Sequence, residues 1–276
     1  MSDLLAEMAA SSRDRVDVAR ARRSLEEVRA SASALPSPRP LQLHGRFDLL
    51  AEIKLAAPST GTLAAVSPSE RYGLVTKQAK AYAAAGAAAI SVLTEPKRFG
   101  GNLGDLAAAS GAVTTPTMRK DFLVDPYQVW EAREAGASGV LLIARMLGDG
   151  ALDALCEAAG QAELFVIAEA FDADDVRRCA RLAERWVGPQ PLLIGVNVRD
   201  LVTLAVDRHR LASLAPLLPA GVPAVAESGV EGPEDCARAA SLGYRAVLVG
   251  SALMRSDDPA ALAASLLGAG RGPAPE

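Results

Sequence analysis

Leu164-Phe-Val-Ile-Ala168 is a short apolar run that ends in Glu169. A helical stretch follows over Ala173–Arg185, and a second apolar run, Leu192-Leu-Ile-Gly-Val196, ends in Asn197. A buried strand, a helix and another buried strand in direct succession read as a β-α-β unit with parallel strands. The rhythm continues on both sides. Upstream lie Leu49–Ile53, Ala88–Leu93, Val113–Met118 and Gly139–Ile143, and downstream lie Val222–Ala226 and Ala246–Val249. Helical patterns separate them, among them Pro68–Ala85, Pro126–Ala135, Leu152–Ala162 and Glu234–Leu242. Eight strands alternating with helices over roughly 225 residues predict an α/β fold of the (β/α)8 TIM-barrel type. An open doubly wound sheet is the runner-up. It would want a Gly-rich dinucleotide turn after an early strand, and the sequence has none.

The chain before the first strand stands outside this rhythm. Residues 1 to about 31 are charged and favour helix, with Leu4, Leu5, Met8, Val16, Val18, Leu25 and Val28 at loosely helical spacing. The breaker-rich stretch Ser33-Ala-Leu-Pro-Ser-Pro-Arg-Pro40 then precedes the body. The expected organisation is one barrel domain over residues 1–276, with 1–45 as an N-terminal helical extension packed across it.

Composition narrows the function. Of the residues, 50% are hydrophobic and only 4% aromatic, which suits helices on a parallel sheet better than an all-β sandwich. A net charge of −4 and a pI near 5.4 leave no basic footprint for nucleic acid. No window approaches the ~20 apolar residues of a membrane span. Met1-Ser-Asp-Leu-Leu-Ala-Glu-Met8 lacks the basic start and apolar run of a secretory signal. Cys156, Cys179 and Cys236 lie in helical contexts without metal-ligand spacing and are expected to be reduced thiols. A cytoplasmic protein is expected, with neither nucleic acid nor membrane as partner. A monomer and a homodimer are both compatible with the sequence.

In a barrel of parallel strands the chemistry sits at the carboxyl ends of the strands. Those ends carry, in order, Glu52 and Lys54, then Thr94 and Glu95, then Lys120 and Phe122, then the bland stretch from Leu141 to Ala144. Glu169 follows, then Asn197, Arg199 and Asp200, then Glu227, Ser228 and Gly229, and last Gly250 and Ser251. Glycine lets a backbone approach an anion closely, and exposed N–H groups at helix starts favour negative charge. The pairs Ser228-Gly229 and Gly250-Ser251 therefore suggest a phosphate site, although each glycine alone also suits a tight turn. Lys54, Lys120, Glu52, Glu169 and Glu227 are acid–base candidates whose pKa values opposite charges and burial would set. A ring of structural salt bridges is the plainer reading of any one of them. Phe99 and Phe122 suit a flat wall for an aromatic substrate, in a chain where most phenylalanines would simply be core. His44 and His209 show no partner arrangement. No nucleophile elbow, His-rich metal motif or Walker loop occurs, so chemistry without cofactor or metal is expected.

Six segments in order carry a more specific signal: Ala51-Glu-Ile-Lys-Leu-Ala-Ala-Pro-Ser59, Ser91-Val-Leu-Thr-Glu95, Arg119-Lys-Asp-Phe122, Gly195-Val-Asn-Val-Arg-Asp-Leu201, Ala226-Glu-Ser-Gly229 and Val249-Gly-Ser-Ala-Leu-Met254. Together they resemble the indole-3-glycerol-phosphate synthase family over nearly the whole chain. The resemblance implies a carboxy-lyase of tryptophan biosynthesis that closes the indole ring. Its implied substrate is 1-(2-carboxyphenylamino)-1-deoxyribulose 5-phosphate, and its products are indole-3-glycerol phosphate, carbon dioxide and water. By the same resemblance Lys120 is the general acid and Glu169 the general base, with Asn197 holding the base or the substrate. Lys54 binds phosphate or the substrate carboxylate, and Glu52 and Glu227 contact hydroxyls and lysines. Ser228, Gly229, Gly250 and Ser251 cradle the phosphate, Arg199 organises the pocket, and Phe99, Phe122, Leu141 and Pro58 flank the substrate.

Three departures stand out. Ala57-Pro58-Ser59 replaces the family's usual Ser-Pro-Ser, Val198 replaces the second of two asparagines, and Arg185-Trp-Val-Gly-Pro-Gln-Pro191 is longer than usual. Loss of one hydrogen bond at Ala57 costs roughly 1 kcal/mol. It motivates a rival reading, ring closure on a substituted anthranilate adduct in a specialised pathway. A non-catalytic phosphate-binding barrel is a third reading, against which Lys120 and Glu169 argue.

Overall fold

The computed structural model describes residues 3–57, 61–63, 66–200 and 203–272. Its eight parallel barrel strands are β1 (Asp48–Ile53), β2 (Ala89–Leu93), β3 (Thr117–Lys120), β4 (Gly139–Ile143), β5 (Phe165–Ala170), β6 (Leu192–Asn197), β7 (Ala224–Glu227) and β8 (Ala246–Val249). Each pairs with its sequence neighbours, and β8 closes onto β1 with Asp48 opposite Ala246. Every residue of β1, β2, β4, β5 and β6 is buried. One face fills the barrel interior and the other lies under helices, which is why these strands read as unbroken apolar runs.

The surrounding helices are α1 (Asp3–Arg20), α2 (Leu25–Ser33), α3 (Arg71–Ala84), α4 (Leu103–Ala112), α5 (Pro126–Glu134) and α6 (Asp149–Gln161), followed by α7 (Ala173–Arg185), α8 (His209–Leu214), α9 (Pro233–Ser241), α10 (Ser251–Arg255) and α11 (Pro259–Arg271). In α7 the side chains of Val176, Cys179 and Leu182 are buried, while Arg177, Arg181 and Glu184 face out. Asp172 caps this helix by accepting from the Asp175 N–H, which satisfies one of its free first-turn donors. The three cysteines are free and buried in α6, α7 and α9, where burial pushes each thiol up to about 12.

The barrel expected from the sequence is present, with local differences in strand bounds. The third strand starts at Thr117 and not Val113, because α4 runs on to Ala112 and Val113 is its cap. Pro116 has no N–H to offer the ladder, although its carbonyl still accepts from Ile90. The N-terminal segment folds as two helices. Ser24 and Glu27 form a reciprocal capping box that starts a new helix after Arg20.

Helix α1 lies along the carboxyl-end rim of the barrel. Its Glu7 pairs with Arg98 after β2 at 2.7 Å, Arg15 with Asp121 after β3 at 2.7 Å, and Arg20 with Asp125 ahead of α5 at 2.8 Å. The extended segment after α7 lies at the opposite end of the strands. There the Trp186 indole donates to the Gln190 carbonyl, and Gln190 bonds Leu41 and Glu163. Among the described residues no helix is long and apolar enough to cross a membrane.

Candidate active site

A cavity of about 370 Å³ opens at the carboxyl ends of the strands. Glu52, Lys54, Lys120, Glu169, Asn197 and Arg199 supply the polar part of its wall, and Phe99, Phe122 and Leu141 supply apolar surface. Ser228, Gly229, Gly250 and Ser251 line it where the chain leaves β7 and β8. Distant pieces of sequence thus meet in one pocket, as the strand-end pattern predicts. Glu227 lies just behind that wall, 1% exposed, with Lys120 over it. Pro58 falls outside the described residues, as does Ser59, so the Ala57-Pro58-Ser59 departure is not placed.

The charged groups are tightly arranged. Lys120 Nζ lies 2.9 Å from Glu227 Oε2 and 3.6 Å from Glu169 Oε1. Burial works to lower the lysine pKa, but the carboxylates of Glu227, Glu169 and Glu52 outweigh it, so Lys120 holds its proton more tightly than an ordinary lysine. For Glu227, burial pushes the carboxyl up against the pull of Lys120, and the nearby Glu169 adds to the rise. Asn197 Nδ2 donates to Glu169 Oε1 at 2.8 Å, and Asn197 Oδ1 accepts from the Arg199 N–H at 2.9 Å. Asn197 therefore fixes one oxygen of Glu169. Lys54 Nζ sits 2.8 Å from Glu52 Oε1 at the end of β1.

Two glycines make room for these carboxylates. A Cβ at Gly250 would lie 2.3 Å from Glu52 Oε1 and 3.0 Å from Lys54 Cε, and one at Gly195 would lie 2.0 Å from Glu227 Oε1. Ser228 and Gly229 both take left-handed backbone, φ 69° each, as the chain turns into the loop after β7. Val198, the departure from the paired asparagines, is buried and packs toward this turn, 3.0 Å from where a Gly229 Cβ would sit.

The apolar wall has its own support. The Phe99 and Phe122 rings lie 6.1 Å apart and tilted by 40°. Glu95 accepts the backbone N–H groups of Lys97, Arg98 and Phe99, which fixes the turn that presents Phe99. Thr94 donates to Asp121 at 2.7 Å and is not itself on the pocket wall.

Some pocket residues carry no signal at strand ends and were missed by reading them. Leu4 reaches the pocket from α1, and Leu204 and Val206 reach it from beyond β6, where Val206 forms an isolated antiparallel bridge with Arg199. Arg255 lines it from the far end of α10. Its place was legible in principle, because it follows Ser251 by four residues and so shares that residue's helix face.

Fold and site define a (β/α)8 barrel with one charged, partly apolar pocket at the carboxyl ends of its strands. Solved structures of low sequence similarity share that fold. The 3-hexulose-6-phosphate synthase of Salmonella typhimurium aligns with TM-score 0.61 at 16% identity, covering 81% of this chain and 98% of its own. The tryptophan synthase α subunit of Legionella pneumophila aligns with TM-score 0.56 at 15% identity, covering 89% and 97%.

Sequence similarity is narrower. The family described as indole-3-glycerol phosphate synthase matches residues 5–266. The indole-3-glycerol phosphate synthase of Nocardioides sp. JS614 is 45% identical over 240 residues, covering 86% of this chain and 87% of that protein. That of Mycobacterium leprae strain Br4923 is 42% identical over 253 residues, covering 91% and 88%. The chain belongs to the indole-3-glycerol phosphate synthase family.

Proposed function

We propose that this protein closes the indole ring of 1-(2-carboxyphenylamino)-1-deoxyribulose 5-phosphate, releasing carbon dioxide and water to give indole-3-glycerol phosphate in tryptophan biosynthesis. The observation that carries this reading is Lys120, set between Glu169 and Glu227 beside a phenylalanine wall, within a family member's pocket. The phosphate rests in the turns Ser228-Gly229 and Gly250-Ser251, with Lys54 nearby. The aromatic ring lies against Phe99, Phe122 and Leu141.

The ring carbon that bears the carboxylate attacks the ketone carbon, and Lys120 gives its proton to the ketone oxygen. Loss of carbon dioxide restores the aromatic ring. The new hydroxyl then leaves as water: Glu169, oriented by Asn197, takes the proton from the adjacent carbon and passes it to the departing oxygen, while Lys120 regains its proton from solvent. Arg199 braces Asn197 through its backbone N–H, and Glu52 holds Lys54. The substrate must fold back on itself for ring closure, so positioning supplies much of the rate. A cytoplasmic location fits a phosphorylated intermediate.

The test is a fluorescence assay for indole formation from the plain adduct, followed by ring-substituted ones. Lys120→Ala is expected to lower turnover by about 10²-fold or more, with substrate binding largely kept, as for loss of general acid catalysis. Absence of turnover by the wild type, or near-normal turnover by the variant, would reject this mechanism. Turnover of substituted adducts alone would support the specialised-pathway reading that Ala57 motivates.

A further inference from the structure

Glu227 has two carboxyl oxygens with different surroundings. Oε2 accepts from Lys120 Nζ at 2.9 Å, whereas Oε1 is buried and has no hydrogen-bond donor among the described residues. Oε1 points into the hollow left by the missing side chain of Gly195, the place a Cβ there would occupy. A buried carboxylate oxygen without a donor carries its full desolvation cost. That cost disappears if the oxygen carries a proton and donates it.

The surroundings supply an acceptor. The charged groups near Glu227 are Lys120 from β3 and Glu169 from β5, with Glu52 and Lys54 at the end of β1 beyond Lys120. From β6 come Asn197 and Gly195, and β8 places Leu248 opposite Glu227 in the ladder. Asn197 already occupies Glu169 Oε1, and among the described residues no donor other than Lys120 bonds Glu227.

An acid flanked by two ionised carboxylates is a poor acid. Both charges hold the Lys120 proton in place, and general acid catalysis works best when that proton is nearer to release. The proposed substrate makes the conflict sharper, because it brings its own carboxylate and phosphate into the pocket.

We propose that Glu227 works as a neutral carboxylic acid, accepting from Lys120 through Oε2 and donating from Oε1 to Glu169, and so leaves Lys120 in contact with one carboxylate charge rather than two. It is a positioning residue that sets the acidity of Lys120, and its proton stays on the Glu227–Glu169 pair through the reaction. The burial of Glu227 and the neighbouring Glu169 both push its carboxyl up, to about 8, in line with this geometry. The catalytic consequence rests on the ring-closing function proposed above, while the protonation itself does not.

The test therefore has two parts. Infrared spectra of the ligand-free protein at pH 7 should show a protonated-carboxyl C=O band that Glu227→Gln removes. No such band, or its persistence in Glu227→Gln, would overturn the proposal whether or not the adduct is turned over. With the adduct, kcat/KM of the wild type should fall as pH rises through the Glu227 value, since ionised Glu227 makes Lys120 a weaker acid. Glu227→Gln keeps the same donor and acceptor pattern without titrating, so that limb should vanish. Its turnover should exceed that of Glu227→Ala by about tenfold or more, as expected when the group that positions the general acid is kept. An unchanged basic limb in Glu227→Gln, or equal losses in the two variants, would likewise overturn it.

Discussion

Arg15 and Asp121, 106 residues apart in sequence, meet in a two-pronged ion pair, with Nη1 2.8 Å from Oδ2 and Nη2 2.7 Å from Oδ1. Asp121 also accepts from Thr94, from Arg119 at 3.0 Å and from the Phe122 N–H at 2.8 Å. Burial alone would raise its pKa. The hydrogen bond and charge of Arg15, the charge of Arg119 and the Thr94 hydroxyl reverse that and hold Asp121 well below the usual carboxylate range. The N-terminal extension is thereby tied to the residue next to Lys120.

Arg15→Met keeps the stem packing and removes the charge. Asp121 retains Arg119 and Thr94, so the expected loss is about 1–3 kcal/mol. Because the folded pKa of Asp121 is depressed, its stabilising contribution is present above the unfolded value of about 3.9 and is lost as pH falls through the folded pKa. Without Arg15 that folded pKa moves back toward the ordinary value. Denaturant unfolding should show the largest gap between wild type and variant at neutral pH, narrowing in strong acid. A gap independent of pH would show that the pair does not set the Asp121 charge.

Gly250→Ala places a Cβ 2.3 Å from Glu52 Oε1 and 3.0 Å from Lys54 Cε, groups that are themselves paired. Neither can shift without losing its partner or blocking the pocket. Steady-state kinetics should give a KM raised by about tenfold, equivalent to about 1.4 kcal/mol. Gly111→Ala is the control, since no atom lies within 4 Å of its added Cβ. Equal kinetics for the two variants would show that the Gly250 gap does not matter.

Arg255 is exposed on the pocket wall and makes no ion pair among the described residues. A free cation four residues after Ser251 is placed to attract the substrate phosphate. Arg255→Met should raise KM by about threefold to tenfold, more than it lowers kcat, and should weaken the dependence of kcat/KM on salt. An unaltered salt dependence would place Arg255 outside the phosphate's field.

Much of the site was legible because strand ends are legible. Glu52, Lys54, Lys120, Glu169 and Asn197 each follow or end a short apolar run, and in a parallel barrel those ends can only converge. Arg15 was not legible. It sits in a charged helix among other arginines, and nothing local distinguishes it from Arg13, which makes no such buried pair among the described residues. Leu4 was hidden for the same reason, since its role depends on where a whole helix docks.

By itself the sequence determined the alternation of buried strands and helices, the order of the chemical groups around the barrel and the family. These follow from periodicity and from motifs that stay local along the chain. Only the tertiary structure decided which oxygen of Glu227 meets Lys120, that its other oxygen lies over Gly195 with no donor, and that Arg15 crosses the rim to Asp121. Such relations depend on distances of a few ångströms between segments far apart in sequence. Hydrogen bonding and desolvation act at that range, and no pattern along the chain encodes it.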